Sequence, residues 1–137
     1  PTKHLILMYN SLKINIDQTP IIFYPPKYLS NILHNLVSNS FKFRSPQRKL
    51  HIQIETKKVG KNLILSISDN GLGINVEKYA NDLFKIRKVF HHHPDARGFG
   101  LYLTKMQVET MGGEIWVESI PDEGSTFFVT FKNQITI

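Results

Sequence analysis

The chain has no cysteine among its 137 residues. Disulfides and thiolate metal sites are therefore excluded, and the composition is compatible with a reducing compartment. No apolar stretch approaches the ~20 residues that a membrane-spanning helix requires, and there is no signal peptide. We predict a single cytoplasmic domain that makes no membrane contact itself, while other segments of a parent protein could attach it to a membrane.

Acidic residues are also few. The chain has 11 Asp and Glu and 17 Lys and Arg, which gives a formal net charge of +6. Such a charge raises the question of nucleic-acid binding. The basic residues are spread along the chain, however, with only small groups within positions 57–61 and 85–88. They do not form one basic helical face with aromatic partners. We therefore predict no nucleic-acid partner.

The first predicted helix, Pro26–Phe43, carries an unusual polar stripe. Apolar residues recur from Leu29 to Phe41 at helical spacing, which indicates one buried face. The opposite face carries Asn31, Asn35, Ser38, Asn39 and Lys42. A solvated face is the simpler interpretation, but Asn and Ser are poorer helix formers than the Glu, Lys or Gln usual there. Amide oxygens suit Mg²⁺, and Lys42 would meet phosphates that share the ion.

A carboxylate ends the apolar alternation of a later strand. The alternation from Leu63 to Ile67 places Asp69 on the buried face. A buried carboxylate needs a hydrogen-bond donor, and the exocyclic amino group of adenine would serve. Asp69–Gly71 is also typical of a hairpin turn. Because no strand pattern follows, we expect Gly71 and Gly73 to let the backbone approach a ligand.

A second glycine cluster, at Gly98 and Gly100, opens the predicted helix Phe99–Met111, which Gly112 and Gly113 would end. Unpaired N–H groups at a helix start favour phosphate. No hydrophobic strand leads into these glycines, so they do not form a Rossmann fingerprint, and the Walker A pattern is absent.

The order and spacing of these segments resemble the catalytic, ATP-binding domain of sensor histidine kinases, in the superfamily that includes gyrase, Hsp90 and MutL. The resemblance extends from about Asn15 to Phe131. The family's N box, first glycine box, F box, second glycine box and closing strand motif correspond to Asn35–Phe43, Asp69–Gly73, Phe84 or Phe90, Gly98–Leu101 and Gly124–Phe127. Segments 41–46 and 95–98 further resemble bacterial soluble or hybrid kinases that carry PAS sensor modules.

The resemblance implies ATP and Mg²⁺ as cofactors. Asn39, helped by Asn35, would hold the Mg²⁺ ion against the triphosphate, and Lys42 would contact phosphate. Asp69 would bind the adenine amino group.

The resemblance also implies further nucleotide contacts. Phe43 would lie beside the base, and the Thr126 hydroxyl would support Asp69 through water. One of Lys85, Arg87 and Lys88, with Lys88 preferred, would reach the phosphates from a lid of roughly residues 74–97. The remaining implied contacts, which serve as lid hinges or meet the phosphates, are Gly71, Gly73, Gly98, Gly100 and Leu101.

Position 35 bears on the mechanism. The ATPase branches of the superfamily have a Glu there that activates water, whereas this chain has Asn35. We therefore expect slow hydrolysis and transfer to a histidine, which depends mainly on positioning and charge neutralisation. No histidine here has the phosphoacceptor context. For the histidine run at 91–93 we favour a polar lid segment over a metal site, because adjacent side chains converge poorly on one ion.

The domain boundaries and partners follow from the same resemblance. Residues 1–12 would be a linker remnant from an upstream dimerisation and phosphoacceptor region, and residues 13–137 the ATP-binding catalytic domain. The phosphoacceptor domain of the same protein and a response-regulator receiver domain are the expected partners. The alternatives are a catalytically silent nucleotide-binding module and a superfamily ATPase.

The predicted fold is α/β, or α+β, a two-layer sandwich of three helices on a mixed, largely antiparallel sheet, called the Bergerat fold. Strands are predicted near Lys13–Ile16, Ile21–Phe23, Lys49–Lys57, Asn62–Ser68, Glu114–Ser119 and Thr126–Phe131, and helices at Pro26–Phe43, Val76–Phe84 and Phe99–Met111. Alternation along the last strand indicates one covered face, which only the helices could cover. Met106 and Met111 are predicted in the core.

Overall fold

The computed structural model describes residues 12–16, 21–75 and 100–134. Its elements are β1 (Leu12–Asn15), α1 (Pro26–Lys42), β2 (Ile52–Val59), β3 (Asn62–Asp69), α2 (Gly100–Thr110), β4 (Ile115–Ile120) and β5 (Gly124–Phe131). The strands form a five-stranded sheet in the order β1-β2-β3-β5-β4. Strands β1 and β2 are parallel and the other neighbours are antiparallel. The predicted mixed, largely antiparallel sheet is confirmed.

The described helices and the sheet share one hydrophobic core. Its buried side chains come from α1, α2, β2, β3, β5 and the segment before β2: Ile32, Leu36, Leu50, Ile52, Leu63, Leu65, Ile67, Val108, Phe127, Val129 and Phe131. Both helices contribute to this cluster, so they cover the same face of the sheet. This confirms the layered α/β architecture. The third predicted helix, Val76–Phe84, and residues 1–11 of the predicted linker lie outside the described residues, and Leu12 begins β1.

Helix α1 follows from its sequence in a direct way. Pro25 is the N-cap residue and Pro26 opens the first turn, where a missing N–H costs nothing. Ile32, Leu36 and Ser40, spaced four apart, are its buried residues. The last buried residue of α1 is therefore a serine, Ser40, and it lies beside Asp69 at the end of β3.

Helix α2 ends as the glycines predict. Gly112 has a φ of 79°, and the N–H groups of Gly112 and Gly113 donate to the carbonyls of Glu109 (2.9 Å) and Val108 (3.0 Å). This pattern is a Schellman motif.

The prediction that the methionines of this segment lie in the core was wrong. Met106 is 49% exposed and Met111 39% exposed. The buried residues of α2 are Thr104 and Val108 alone, and Met106 lies about 200° around the helix from Thr104 at ~100° per residue.

The predicted strand Ile21–Phe23 was also wrong, because these residues are not in strand conformation. The buried side-chain amide of Gln134 takes the place of a neighbouring strand there. Its Oε1 accepts the N–H of Phe23 at 2.7 Å, and its Nε2 donates to the Phe23 carbonyl at 3.0 Å. A side chain distant in sequence thus satisfies backbone groups that would otherwise need a ladder.

Candidate functional site

A pocket lies between α1, the start of α2 and the adjoining ends of β3 and β5. It encloses about 410 Å³ including its open mouth, which is within the size range of small-molecule sites. Its lining residues are Asn39, Phe43, Asp69, Gly73, Ile74, Leu101, Ser125 and Phe127. Five of the residues predicted to bind nucleotide or metal therefore line a single pocket.

Asp69 is the ionisable residue among those that line this pocket. Strand alternation continues to it from Ile67, and it pairs with Ile52 on one side and Ser125 on the other. Its Oδ1 accepts the backbone N–H of Gly71 at 2.9 Å, and its Oδ2 accepts the Ser40 hydroxyl at 2.9 Å. Both carboxylate oxygens thus have a donor from the protein, and the carboxylate keeps lone-pair capacity for a further donor.

Burial raises the pKa of the Asp69 carboxyl above its usual value, because desolvation outweighs the hydrogen bonds from Gly71, Ser40 and Ser125 that lower it. The hydrogen bonds nevertheless favour the charged form and limit the effect of desolvation. The site therefore holds an acceptor that a ligand's N–H group would stabilise further.

Gly71 and Gly73 are required by contacts within the protein. A Cβ on Gly71 would lie 2.6 Å from the carbonyl oxygen of Phe43, and that oxygen accepts the N–H of Leu72 at 2.9 Å. Gly73 has a φ of 70°, and a Cβ there would overlap the carbonyl oxygen of Ile120. The sequence pattern predicted that the backbone here approaches a ligand closely. The described approach is to the end of α1 and to the β4–β5 hairpin.

The two predicted metal ligands differ in their surroundings. The Asn35 amide donates to the hydroxyl of Thr104 at 3.2 Å and, at 3.5 Å, to the carbonyl of Gly100, so it joins α1 to α2. Asn39 lines the pocket itself, one turn further along. Lys42 lies in the last turn of α1 and is half-buried.

The second glycine box is described only in part. Gly100 begins α2 directly beside the asparagines, because a Cβ on it would lie 3.9 Å from Asn39 Oδ1 and from the Asn35 side chain. Leu101 lines the pocket. Gly98 and Lys88 lie outside the described residues, and their roles stay predictions.

Thr126 is placed on the opposite face of the sheet from the Asp69 carboxylate. Its hydroxyl pairs with that of Ser68 at 2.9 Å. Ser125 is the residue that pairs with Asp69 and lines the pocket. The predicted support of Asp69 by Thr126 through water stays a prediction. Ser125, which was not among the predicted site residues, hydrogen-bonds the carboxylate through its backbone. The signal was present in the sequence, because Ser125 shares the alternation of Phe127 and the other buried residues of β5.

Arg48 was missed by the sequence reasoning, and it lies behind the glycine loop. Its Nε donates to the carbonyl of Asn70 at 2.6 Å, and its Nη2 donates to the carbonyls of Gly71 at 2.7 Å and Asp122 at 2.6 Å. The Asn70 amide bonds in turn to the backbone of Lys49 (2.8 Å) and His51 (2.9 Å). These contacts replace strand pairing there, so β2 begins at Ile52 rather than at the predicted Lys49.

A pair of serine hydroxyls closes the same region from the β4–β5 side. The hydroxyls of Ser119 and Ser125 lie 2.7 Å from each other. The Ser119 hydroxyl also donates to the carbonyl of Gly124 at 2.9 Å. Ser119 also accepts the N–H of Ile74 at 2.7 Å. The glycine loop is therefore held at both of its ends.

Within the described ranges no group of three or more His, Cys, Asp or Glu side chains could hold a metal ion. A divalent cation at this site would therefore depend on the Asn39 amide oxygen, on water and on ligand phosphates. Mg²⁺ is the cation that accepts such a donor set, because it keeps several waters and shares its coordination with substrate phosphates.

The chain matches a known protein family that is consistent with this fold and pocket. Residues 25–135 match the family described as histidine kinase-, DNA gyrase B- and HSP90-like ATPase. The chain therefore belongs to this family, as its motifs predicted.

One curated relative is the circadian input-output histidine kinase CikA of Synechococcus elongatus, which is 36% identical over 115 residues. The match covers 82% of this chain and 15% of CikA. This chain therefore spans only a small part of the length of that relative.

Solved structures show the same fold. The mycobacterial sensor histidine kinase MprB superposes with a TM-score of 0.77 at 18% identity, covering 98% of this chain and 91% of that one. Full-length ShkA, determined in complex with AMPPNP, has a TM-score of 0.76 at 19% identity and covers 96% of this chain and 28% of ShkA. The predicted fold class is confirmed by these neighbours.

Among the described residues, neither helix is long and apolar enough to cross a membrane.

Proposed function

We propose that this chain is the ATP-binding catalytic domain of a two-component sensor histidine kinase. It would bind ATP with Mg²⁺ and transfer the γ-phosphoryl group to a histidine on a separate dimerisation domain. A response-regulator receiver domain would take the phosphoryl group in a later step. The finer assignment to kinases with PAS sensor modules stays a prediction.

The observation that carries the proposal is the Asp69 carboxylate in the pocket wall, ordered by Ser40 and Gly71. Such an acceptor is suited to the amino group of adenine. Guanine presents a carbonyl oxygen at that position, which would leave buried polar atoms unpaired, so the site should select adenine strongly. Phe43 and Leu101 in the same lining offer apolar contact area to a base.

The other end of the site would hold the triphosphate. Asn39 and Asn35 lie on α1 beside the start of α2, where backbone N–H groups without helical partners favour anions. Asn39 fits Mg²⁺ as an amide-oxygen ligand, and Lys42, one turn later, would neutralise phosphate charge. When bound, the ion would supply neutralisation of the charge that develops during phosphoryl transfer.

The amide at position 35 favours a kinase over a superfamily ATPase, because it predicts slow hydrolysis. The Asn35 amide donates to Thr104 and Gly100, and an amide cannot take a proton from water as a carboxylate does. A kinase needs less from this position, because the nucleophilic imidazole would come from another domain. Phosphoryl transfer depends mainly on positioning and electrostatics.

Calorimetric titration with AMPPNP and Mg²⁺ tests the binding part of this proposal. Asp69→Asn replaces an acceptor with a donor, so affinity should fall about 100-fold or more, given the cost of unpaired buried groups. Asn39→Ala should remove most of the Mg²⁺ dependence. The matched control Asp122→Asn makes the same chemical change at a carboxylate that is 76% exposed, and it should bind like wild type.

Transfer separates a kinase from a silent nucleotide-binding module. The wild-type domain, mixed with the histidine-bearing domain of its parent kinase and ATP labelled on the γ-phosphate, should label that domain. Replacement of the acceptor histidine should abolish the label. Binding of nucleotide without any transfer would favour the silent module, whereas rapid phosphate release without a partner domain would favour the ATPase.

A further inference from the structure

Arg48 makes an unusual set of hydrogen bonds behind the nucleotide pocket. It donates to three backbone carbonyl oxygens, those of Asn70, Gly71 and Asp122, at 2.6–2.7 Å. The Asp122 carboxylate adds an ion pair, 3.6 Å from Arg48 Nη1, and the Asp122 side chain is 76% exposed. An exposed pair of this kind is worth little, so the carbonyl contacts are the main interaction.

These carbonyl groups come from two parts of the chain that must meet at the site. Asn70 and Gly71 belong to the loop after β3, and Asp122 belongs to the β4–β5 hairpin. The same two parts are also joined by a hydrogen bond from the Asp122 N–H to the carbonyl of Leu72. Converging carbonyl dipoles repel one another unless a donor lies between them, and Arg48 is that donor.

The loop held in this way determines the geometry around Asp69. Gly71 contributes its carbonyl to Arg48 and its N–H to Asp69 Oδ1. A shift of the Gly71 peptide would therefore move a donor that orients the carboxylate. Gly124, on the hairpin, lies so close to the Asp69 carbonyl that a Cβ there would overlap it. The hairpin and Asp69 are thus in direct backbone contact.

We propose that Arg48 is a positioning residue for recognition of the base, which acts through the Gly71 peptide to hold Asp69 in the orientation that selects adenine. The inference rests on the proposed function, because it assumes that Asp69 meets the adenine amino group. Arg48 bonds the backbone of the loop and is not among the residues that line the pocket. Its contribution should therefore appear in base discrimination rather than in phosphate binding.

Arginine is suited to this role in a way that lysine is not. A guanidinium is planar and presents donors in a fixed fork, so it can hold several acceptors at set angles. A lysine ammonium keeps the charge but is a compact point with rotatable donors. Arg48→Lys therefore changes the geometry of the support while leaving the net charge unaltered.

The experiment compares two nucleotides in the presence of Mg²⁺: ATP and the triphosphate of purine riboside, which lacks the 6-amino group. Dissociation constants of wild type and Arg48→Lys are measured well below the unfolding temperature of each. We expect the preference for ATP over the purine riboside nucleotide to fall about tenfold in Arg48→Lys. A full ångström of misplacement of the Asp69 carboxylate would cost ~100-fold, and the shift expected here is smaller. Affinity for the purine riboside nucleotide should stay within about twofold.

Two control variants accompany the measurement. Arg44→Lys makes the same substitution at an arginine that bonds the Phe41 carbonyl at 2.8 Å and lies over the Phe41 ring. Asp122→Asn removes the ion pair with Arg48 but retains the backbone carbonyl. Both should keep the wild-type preference for ATP. Arg48→Gln is the second test variant if Arg48→Lys folds poorly.

Each outcome has a defined meaning. An equal loss of affinity for both nucleotides, or no change in the preference, would overturn the role of Arg48 in base recognition. Failure of both variants to fold would make Arg48 a folding residue and overturn it as well. A wild type that binds ATP without preference would reject Asp69 as the base contact and this inference with it. A wild type that binds neither nucleotide would reject the proposed function itself.

Discussion

Replacing Ser40 by Ala tests whether the Asp69 carboxylate is charged and supported as the site requires. Ser40 is 3% exposed, and its hydroxyl donates to Asp69 Oδ2 at 2.9 Å and to the Leu36 carbonyl at 3.3 Å. A hydrogen bond to a charged group contributes about 1.5–3 kcal/mol, and alanine regains a few tenths in helix propensity. We expect the free energy of unfolding to fall by about 1–2 kcal/mol near neutral pH.

The effect should depend on pH in a defined direction. The folded pKa of Asp69 is raised above the reference value of 3.8, so the native state binds a proton more readily than the unfolded chain does. Stability therefore falls as the pH rises from 3.8 through the folded pKa. In Ser40→Ala the folded pKa should be higher still. Once Asp69 is protonated, the lost bond is a neutral one, and the cost should shrink below about 1 kcal/mol.

Urea denaturation of wild type and Ser40→Ala across this pH range measures the difference. Ser38→Ala is the control for helix propensity, because it makes the same substitution in the same helix, two residues before Ser40, which bonds Asp69. Equal destabilisation at acidic and neutral pH would contradict the reasoning, since the Ser40 bond would then not discriminate between the charge states of Asp69. A more stable variant at neutral pH would contradict it outright.

Binding of AMPPNP should weaken as the pH falls through the folded pKa of Asp69, because the protonated carboxyl is a poorer acceptor, and titration at a series of pH values checks this. Gly73→Ala should destabilise the domain by more than Gly112→Ala, since both have a positive φ but only Gly73 is crowded by backbone. In urea denaturation the free energy of unfolding should fall by about 1 kcal/mol for Gly112→Ala and by at least about 2–3 kcal/mol for Gly73→Ala. Equal losses would contradict the crowding at Gly73. Gln134→Ala should cost about 2–3 kcal/mol in the same assay, because two backbone groups of Phe23 lose their partner, and a cost near zero would mean that water replaces it.

The placement of Asp69 was predictable because strand alternation is a local property. The side-chain period of two carries the buried face from Leu63 through Ile67 to Asp69 without any tertiary information. The same period, applied along β5, identifies Ser125 as the residue that pairs with Asp69. The support of Asp69 by Thr126 through water came from the family resemblance rather than from this pattern, and it stays a prediction.

The order of motifs, the class of fold and the pocket residues on α1 were determined by the sequence itself, because periodicity, capping and glycine positions depend on near neighbours along the chain. Only the tertiary structure decided which groups meet from distant segments. Arg48 gave no signal in the sequence, since its partners are carbonyl groups that any residue carries. Gln134 likewise serves Phe23 across 111 residues, and no local rule pairs them. Glycines 71 and 73 were found for their permissive backbone, but the fold determined what they approach: the end of α1 and the β4–β5 hairpin, which hold the carboxylate in place.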